Sequence, residues 1–106
     1  MTKPNTRQSF LQYAVEFIAG DNEVLKCPSC GTDEGYLHHH GVTVYDRHED
    51  GPVTVTTVNG GAAGENPSSR RDGIAIRFTC ELCPAELELT IAQHKGRTYL
   101  VWRDAR

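Results

Sequence analysis

All four cysteines of this 106-residue chain fall into two pairs, Cys27-Pro28-Ser29-Cys30 and Cys80-Glu81-Leu82-Cys83. Two thiolates separated by two residues on a tight turn can grip one side of a metal ion, and a second such turn completes a tetrahedron. Four thiolates select a soft or borderline metal, and Zn²⁺ is the commonest structural choice. They also fill the coordination sphere, leaving no position for water or substrate, so the chemistry implied is structural rather than catalytic. Cys27, Cys30, Cys80 and Cys83 are therefore the expected ligands of a Zn²⁺ ion, with iron in the same thiolate cage as the competing occupant. In small zinc domains metal binding contributes on the order of 10 kcal/mol to folding.

The remaining candidates for chemistry are weaker. His38, His39 and His40 are consecutive. On a strand, His38 and His40 would share one face and His39 the other, so they cannot converge on one ion. A second metal site would need His48 or Asp46 as well, and no H-E-x-x-H spacing is present. His38 and His40 are kept as candidate cleft residues. Ser68 and Ser69 lack the sequence of a nucleophile elbow, and Gly60-Gly61-Ala62-Ala63-Gly64 lacks the lysine and helix of a phosphate-binding loop. The expected function is accordingly non-enzymatic. The richest binding candidate is Asn66-Pro67-Ser68-Ser69-Arg70-Arg71-Asp72-Gly73. Two adjacent guanidinium groups offer roughly ten N–H donors, and Asn66, Ser68 and Ser69 add polar groups suited to phosphate or carboxylate. Arg77, Lys95, Arg97 and Arg103 could adjoin this loop, and Tyr45, Tyr99 and Trp102 offer rings for stacking on bases. The alternative is a solvated loop whose arginines pair with Asp72, Glu65 and Glu86.

These groups need a frame. Asn5 or Thr6 can cap a helix over about 6–19, in which Phe10, Leu11, Ala14, Val15, Phe17 and Ile18 recur at helical spacing and Gly20-Asp21-Asn22 supplies the stop. Strands are expected over Tyr36–His48, Val53–Val58, Gly73–Cys80, Ala85–Ala92 and Arg97–Arg103. Period-two alternation sets Val42 and Val44 against Thr43 and Tyr45. In the same way it points Leu87, Leu89 and Ile91 inward and Glu86, Glu88 and Thr90 outward. Residues 59–72 have no apolar periodicity, and a loop of that length in a compact domain is usually functional or disordered.

Length and composition suit one domain, 1–106, with a modest core. Hydrophobic residues make up 38% and charged residues 24%, and the formal charge of −3 argues against a surface that binds polyanions over its whole extent. No apolar run approaches the roughly 18 residues of a membrane span, and Met1–Ser9 lacks the apolar core of a signal peptide. A cytoplasmic location is expected, where paired C-x-x-C motifs stay reduced and bind metal.

The form Cys27-Pro28-Ser29-Cys30-Gly31 resembles the C-P-x-C-G knuckle of zinc ribbons, although the C-x2-C-x49-C-x2-C interval is longer than usual and Pro84 stands where the second knuckle ordinarily has glycine. A proline there has no N–H to offer sulfur. Asn66 to Gly73 and Leu89-Thr90-Ile91-Ala92-Gln93-His94-Lys95-Gly96 resemble stretches in small uncharacterised zinc-ribbon proteins of phages and prophages. The likeness covers most of the chain after Cys27. It implies a bacterial or phage cytosol and a small accessory or regulatory role. The strands, knuckles and helix together read as a mainly β fold with a minor α part: an antiparallel zinc-ribbon-like sheet of about five strands over about 24–103, with one N-terminal helix packed on it. The expected partner is a nucleic acid or a host protein, with a small phosphorylated ligand at Arg70 and Arg71 as a third possibility.

Overall fold

The computed structural model describes residues 12–61 and 64–105. Eight strands run in chain order: β1 (Gln12–Ala14), β2 (Phe17–Ile18), β3 (Asp21–Leu25), β4 (Leu37–Arg47), β5 (Val53–Val58), β6 (Gly73–Cys80), β7 (Glu86–His94) and β8 (Arg97–Asp104). Six form one antiparallel sheet in the order β1-β8-β7-β6-β4-β5, and β2 and β3 pair as a small separate hairpin. The expected mainly β, antiparallel architecture is observed. No helix of the described residues is long and apolar enough to cross a membrane.

The N-terminal helix is corrected over its described part. Residues 6–11 of that expectation lie outside the described residues, but Gln12–Ala14 and Phe17–Ile18 are strands. The free edge of β8 offers backbone partners that an isolated helix could not match. Gln12, Tyr13 and Ala14 pair with Arg103, Trp102 and Val101. Gly20, expected as a helix stop, takes φ 82° in the turn between β2 and β3 instead, a conformation glycine adopts without steric cost.

The later strands follow the sequence closely. Val53–Val58 and Gly73–Cys80 occupy their expected ranges, while β4 and β7 differ from theirs by one or two residues at each end and β8 by one residue at its C-terminal end. The β7–β8 turn is the two-residue pair Lys95-Gly96, both with positive φ, the combination a tight antiparallel hairpin demands. Because β6 inserts between β4 and β7, the chain leaving edge strand β5 must cross back over β4. Residues 64–72 lie across the sheet on that return path.

The two faces of the sheet are covered by different things. On one, near the cysteines, Cys27, Phe78, Cys80, Leu87, Leu89 and Trp102 form the apolar core, with Tyr13, Leu25 and Leu37 packed around it. Phe78 meets Trp102 edge to face, their centroids 5.2 Å apart. The other face carries a polar core beneath the crossing segment. Here Glu88 and Thr90, expected to face solvent, are buried, along with Thr43, Tyr45, Ala75 and Arg103. The physical reason is the crossing segment itself, which roofs a face the alternation alone assigns to water. Glu88 accepts from Arg103 Nε at 2.9 Å and from the Gly64 amide at 3.3 Å. Tyr45 donates its hydroxyl to the Gly64 carbonyl at 2.6 Å. A Cβ on Gly64 would run into the Arg103 guanidinium, so only glycine lets the backbone approach this closely.

Removing one member of a buried ion pair leaves the other charged and desolvated, which costs about 3–5 kcal/mol. Glu88→Ala is therefore expected to lower the unfolding free energy of the metal-loaded protein by about that amount in urea titrations. The double variant Glu88→Met/Arg103→Leu, which removes both charges, is expected to recover most of the loss.

Candidate metal centre

The register of β4 on β6 builds the metal centre. Leu37, the first residue of β4, lies opposite Cys80, the last of β6. The first knuckle enters β4 and the second leaves β6, so this pairing brings them to the same corner. The Glu81 amide donates to the Tyr36 carbonyl at 3.1 Å, extending the ladder into the second knuckle. His38 hydrogen-bonds Glu81 across the same junction.

The four Sγ atoms lie within 4.8 Å of one another. Cys27 and Cys83 are 3.8 Å apart, as are Cys30 and Cys80. A tetrahedron with metal–sulfur bonds of about 2.3 Å has edges of about 3.8 Å, so the donor set and its spacing both fit a four-coordinate thiolate site. Cys27 is fully buried against the apolar core, whereas Cys30 is exposed. No other group of three or more His, Cys, Asp or Glu side chains converges in this way among the described residues.

Backbone amides tune the sulfurs. The Leu82 amide donates to Cys80 Sγ at 3.4 Å. Pro84 has no N–H, and the Ala85 amide, one residue further on, serves Cys83. In the first knuckle the Gly31 amide closes the turn onto the Cys27 carbonyl at 2.9 Å, while the amides of Cys30 and Ser29 bond the Cys27 sulfur. In the metal-free site, burial raises the Cys27 thiol, the amide bonds opposing it. Burial also pushes Cys80 to about 12. Cys83 is pushed up by burial too, but the Ala85 amide and the neighbouring thiols outweigh this and bring it to about 7.

The other candidate residues are dispersed. His40 bonds Thr79 at 2.8 Å. Its ring lines a polar cavity of about 570 Å³ with His39, Asn59, Arg77, Thr79 and Glu86. Arg77 is thus four residues along β6 from Gly73, at the cysteine end of the sheet, away from Arg70 and Arg71. Lys95 occupies the β7–β8 hairpin tip. The 64–72 stretch runs across the opposite end of the sheet as a strap, and most of its polar groups hold it there. Ser68 is buried, donates to the Gln93 carbonyl at 2.6 Å and accepts from the Arg70 and Arg71 amides. Asn66 accepts from the Ser68 amide and donates to the Arg71 carbonyl, both at 3.0 Å. The Ser69 carbonyl accepts from Arg47 at 3.0 Å. Arg70 makes a two-pronged ion pair with Asp50, at 2.8 and 2.9 Å, and this bonding holds the Asp50 carboxyl below the usual carboxylate range. Asp50 was not among the expected partners. Its place in the turn after β4, beside the strap, becomes apparent only once the strap is seen to lie across the sheet. Arg71 is exposed.

The chain matches no protein-family model, no curated protein and no solved structure.

The thiols bind metal as thiolates, so loading must displace whatever protons the free site holds. Metal affinity is expected to fall as pH falls, more steeply below about pH 7, where Cys83 also becomes protonated in the free site. Competition with a chromophoric chelator across that range measures the slope. Cys30→Ser and Cys83→Ser are expected to lose the bound ion and cooperative unfolding together, whereas the parent chain should carry one ion per chain by elemental analysis.

Proposed function

We propose that this chain is a non-enzymatic module of the zinc-ribbon kind, in which a structural Zn²⁺ ion fixes a β-sheet that binds a protein partner. Zinc is supported by the all-thiolate donor set. A structural role follows from a coordination sphere that the protein fills by itself.

One observation carries the protein-binding reading. Away from the cysteines, the apolar face of the sheet continues as a row across four strands: Val44 opposite Ile74, Ile74 opposite Ile91, and Ile91 opposite Leu100. At about 4.8 Å per strand the row spans about 14 Å. Leu25 of β3 and Cys27 of the first knuckle pack on the cysteine end of this face, but Val44 and Leu100 remain 40% and 48% exposed. Contiguous exposed apolar surface of this type marks interaction sites. The arginine strap supports nucleic acid less well, because Arg70 is bonded to Asp50 and the formal charge is −3.

Affinity capture with metal-loaded protein from a bacterial lysate is the test. A specific protein should be retained by the parent and by the Arg70→Ala/Arg71→Ala variant, and lost with Leu100→Asp. If instead DNA or RNA binds at low salt, and both added salt and the double alanine variant abolish it, the nucleic-acid reading replaces this one.

A further inference from the structure

Strand β5 ends the six-stranded sheet, and nothing among the described residues pairs with its outer side. Natural edge strands are protected by charge, proline, bulges, brevity or a covering element. The opposite edge, β1, is only three residues long. In contrast, β5 is Val53-Thr54-Val55-Thr56-Thr57-Val58, with no charge or proline, and all six residues are exposed. Its pairing with β4 runs from Val42↔Val58 to Arg47↔Val53 without a bulge, so the edge is regular over about 20 Å. Val55 and Val58 are 53% and 55% exposed.

The geometry points to self-association through this edge: two copies of the chain pair their β5 strands antiparallel about a two-fold axis, joining two sheets into one. The choice of a second copy rests on self-complementarity. A two-fold axis normal to the sheet keeps the same face up in both copies, so opposed residues must share a face, as directly opposed residues in a ladder do. Centring the axis on Val55 sets Val55 against Val55, Thr54 against Thr56, and Val53 against Thr57. Valine and threonine pairs across strands are favourable, and like charges would be costly. This edge has none to oppose. Val53, Val55 and Thr57 also line a cavity of about 560 Å³ under the strap, with Tyr45, Gly64 and Ser68. Pairing places the valines of one copy beside the open mouth of that cavity in the other. A heterologous strand would find no charged group on β5 to select it.

This inference stands apart from the protein-binding reading, which uses the other face. Sedimentation equilibrium of metal-loaded full chain, from micromolar to millimolar, is expected to show a reversible monomer–dimer equilibrium. Val55→Lys and Val55→Glu each place like charges directly opposed, and each should weaken dimerisation by at least about tenfold, equivalent to about 1.4 kcal/mol. Equimolar mixing of the two should restore the dimer, which also shows that both variants are folded. Leu100→Asp should dimerise as the parent does. A parent that stays monomeric at millimolar concentration overturns the inference. So do Val55 variants that dimerise normally, a mixture that stays monomeric, or loss of the dimer in Leu100→Asp.

Discussion

Four thiolates cannot share one corner of a protein without a cation. At 3.8 Å, two bare negative charges in a partly desolvated setting repel by several kcal/mol, and Cys27 is buried in the apolar core. The corner is therefore stable only with the sulfurs protonated or metal-bound, and only the second state ties the knuckles together. Everything near it is built on that tie. Cys27 and Cys80 are members of the same cluster as Phe78, Leu87 and Trp102, so the metal site and the apolar core are one structure. The β4/β6 register delivers both knuckles, and the ladder from Leu37↔Cys80 onward propagates the arrangement into the sheet.

The strap answers a different constraint. Inserting β6 beside β4 leaves the chain on the wrong side of the sheet after β5, and the return path must cross a face. Crossing it close to the surface requires buried hydrogen-bond partners for the strap's backbone. Tyr45 donates to the Gly64 carbonyl, Glu88 accepts from the Gly64 amide, the Gln93 amide donates to the Asp72 carbonyl, and Ser68 Oγ accepts from the Arg70 and Arg71 amides. Arg103 then neutralises Glu88. The result is a sheet with an apolar core on one side and a polar, ion-paired core on the other.

Much of this was legible in the chain. The metal ligands were readable because residue type and spacing suffice for that chemistry, and the Val53–Val58 and Gly73–Cys80 strands because alternation and β-branched residues mark strands strongly. The helix expected over 6–19 failed in its described part because helical spacing grouped Ala14 and Phe17 with the inward residues, whereas the residues that pack on the core are Tyr13 and Val15, two apart as on a strand, with Ala14 and Phe17 exposed. Only the tertiary partner, the free edge of β8, decides between the two. Alternation places Glu88 toward solvent because it cannot say that a distant loop will roof its face. The Arg70 partner is hidden from the sequence for the same reason: Asp50 lies twenty residues earlier in the chain, and only the path of the strap makes them neighbours.

The unusual 49-residue interval between the knuckles has an inexpensive explanation in polymer terms. A metal gripping both knuckles closes a chain loop, and each doubling of loop length adds only about 0.6 kcal/mol of closure entropy. Growth from a dozen residues to four dozen is two doublings, or about 1.2 kcal/mol, set against a metal contribution on the order of 10 kcal/mol. The clasp therefore tolerates a large insert. What limits the insert is whether it returns to the corner in register, and the β4–β5–strap–β6 excursion does so by ending one strand beside the start of another. The segment between the knuckles is in effect a cassette, free to vary in length wherever its two ends still meet.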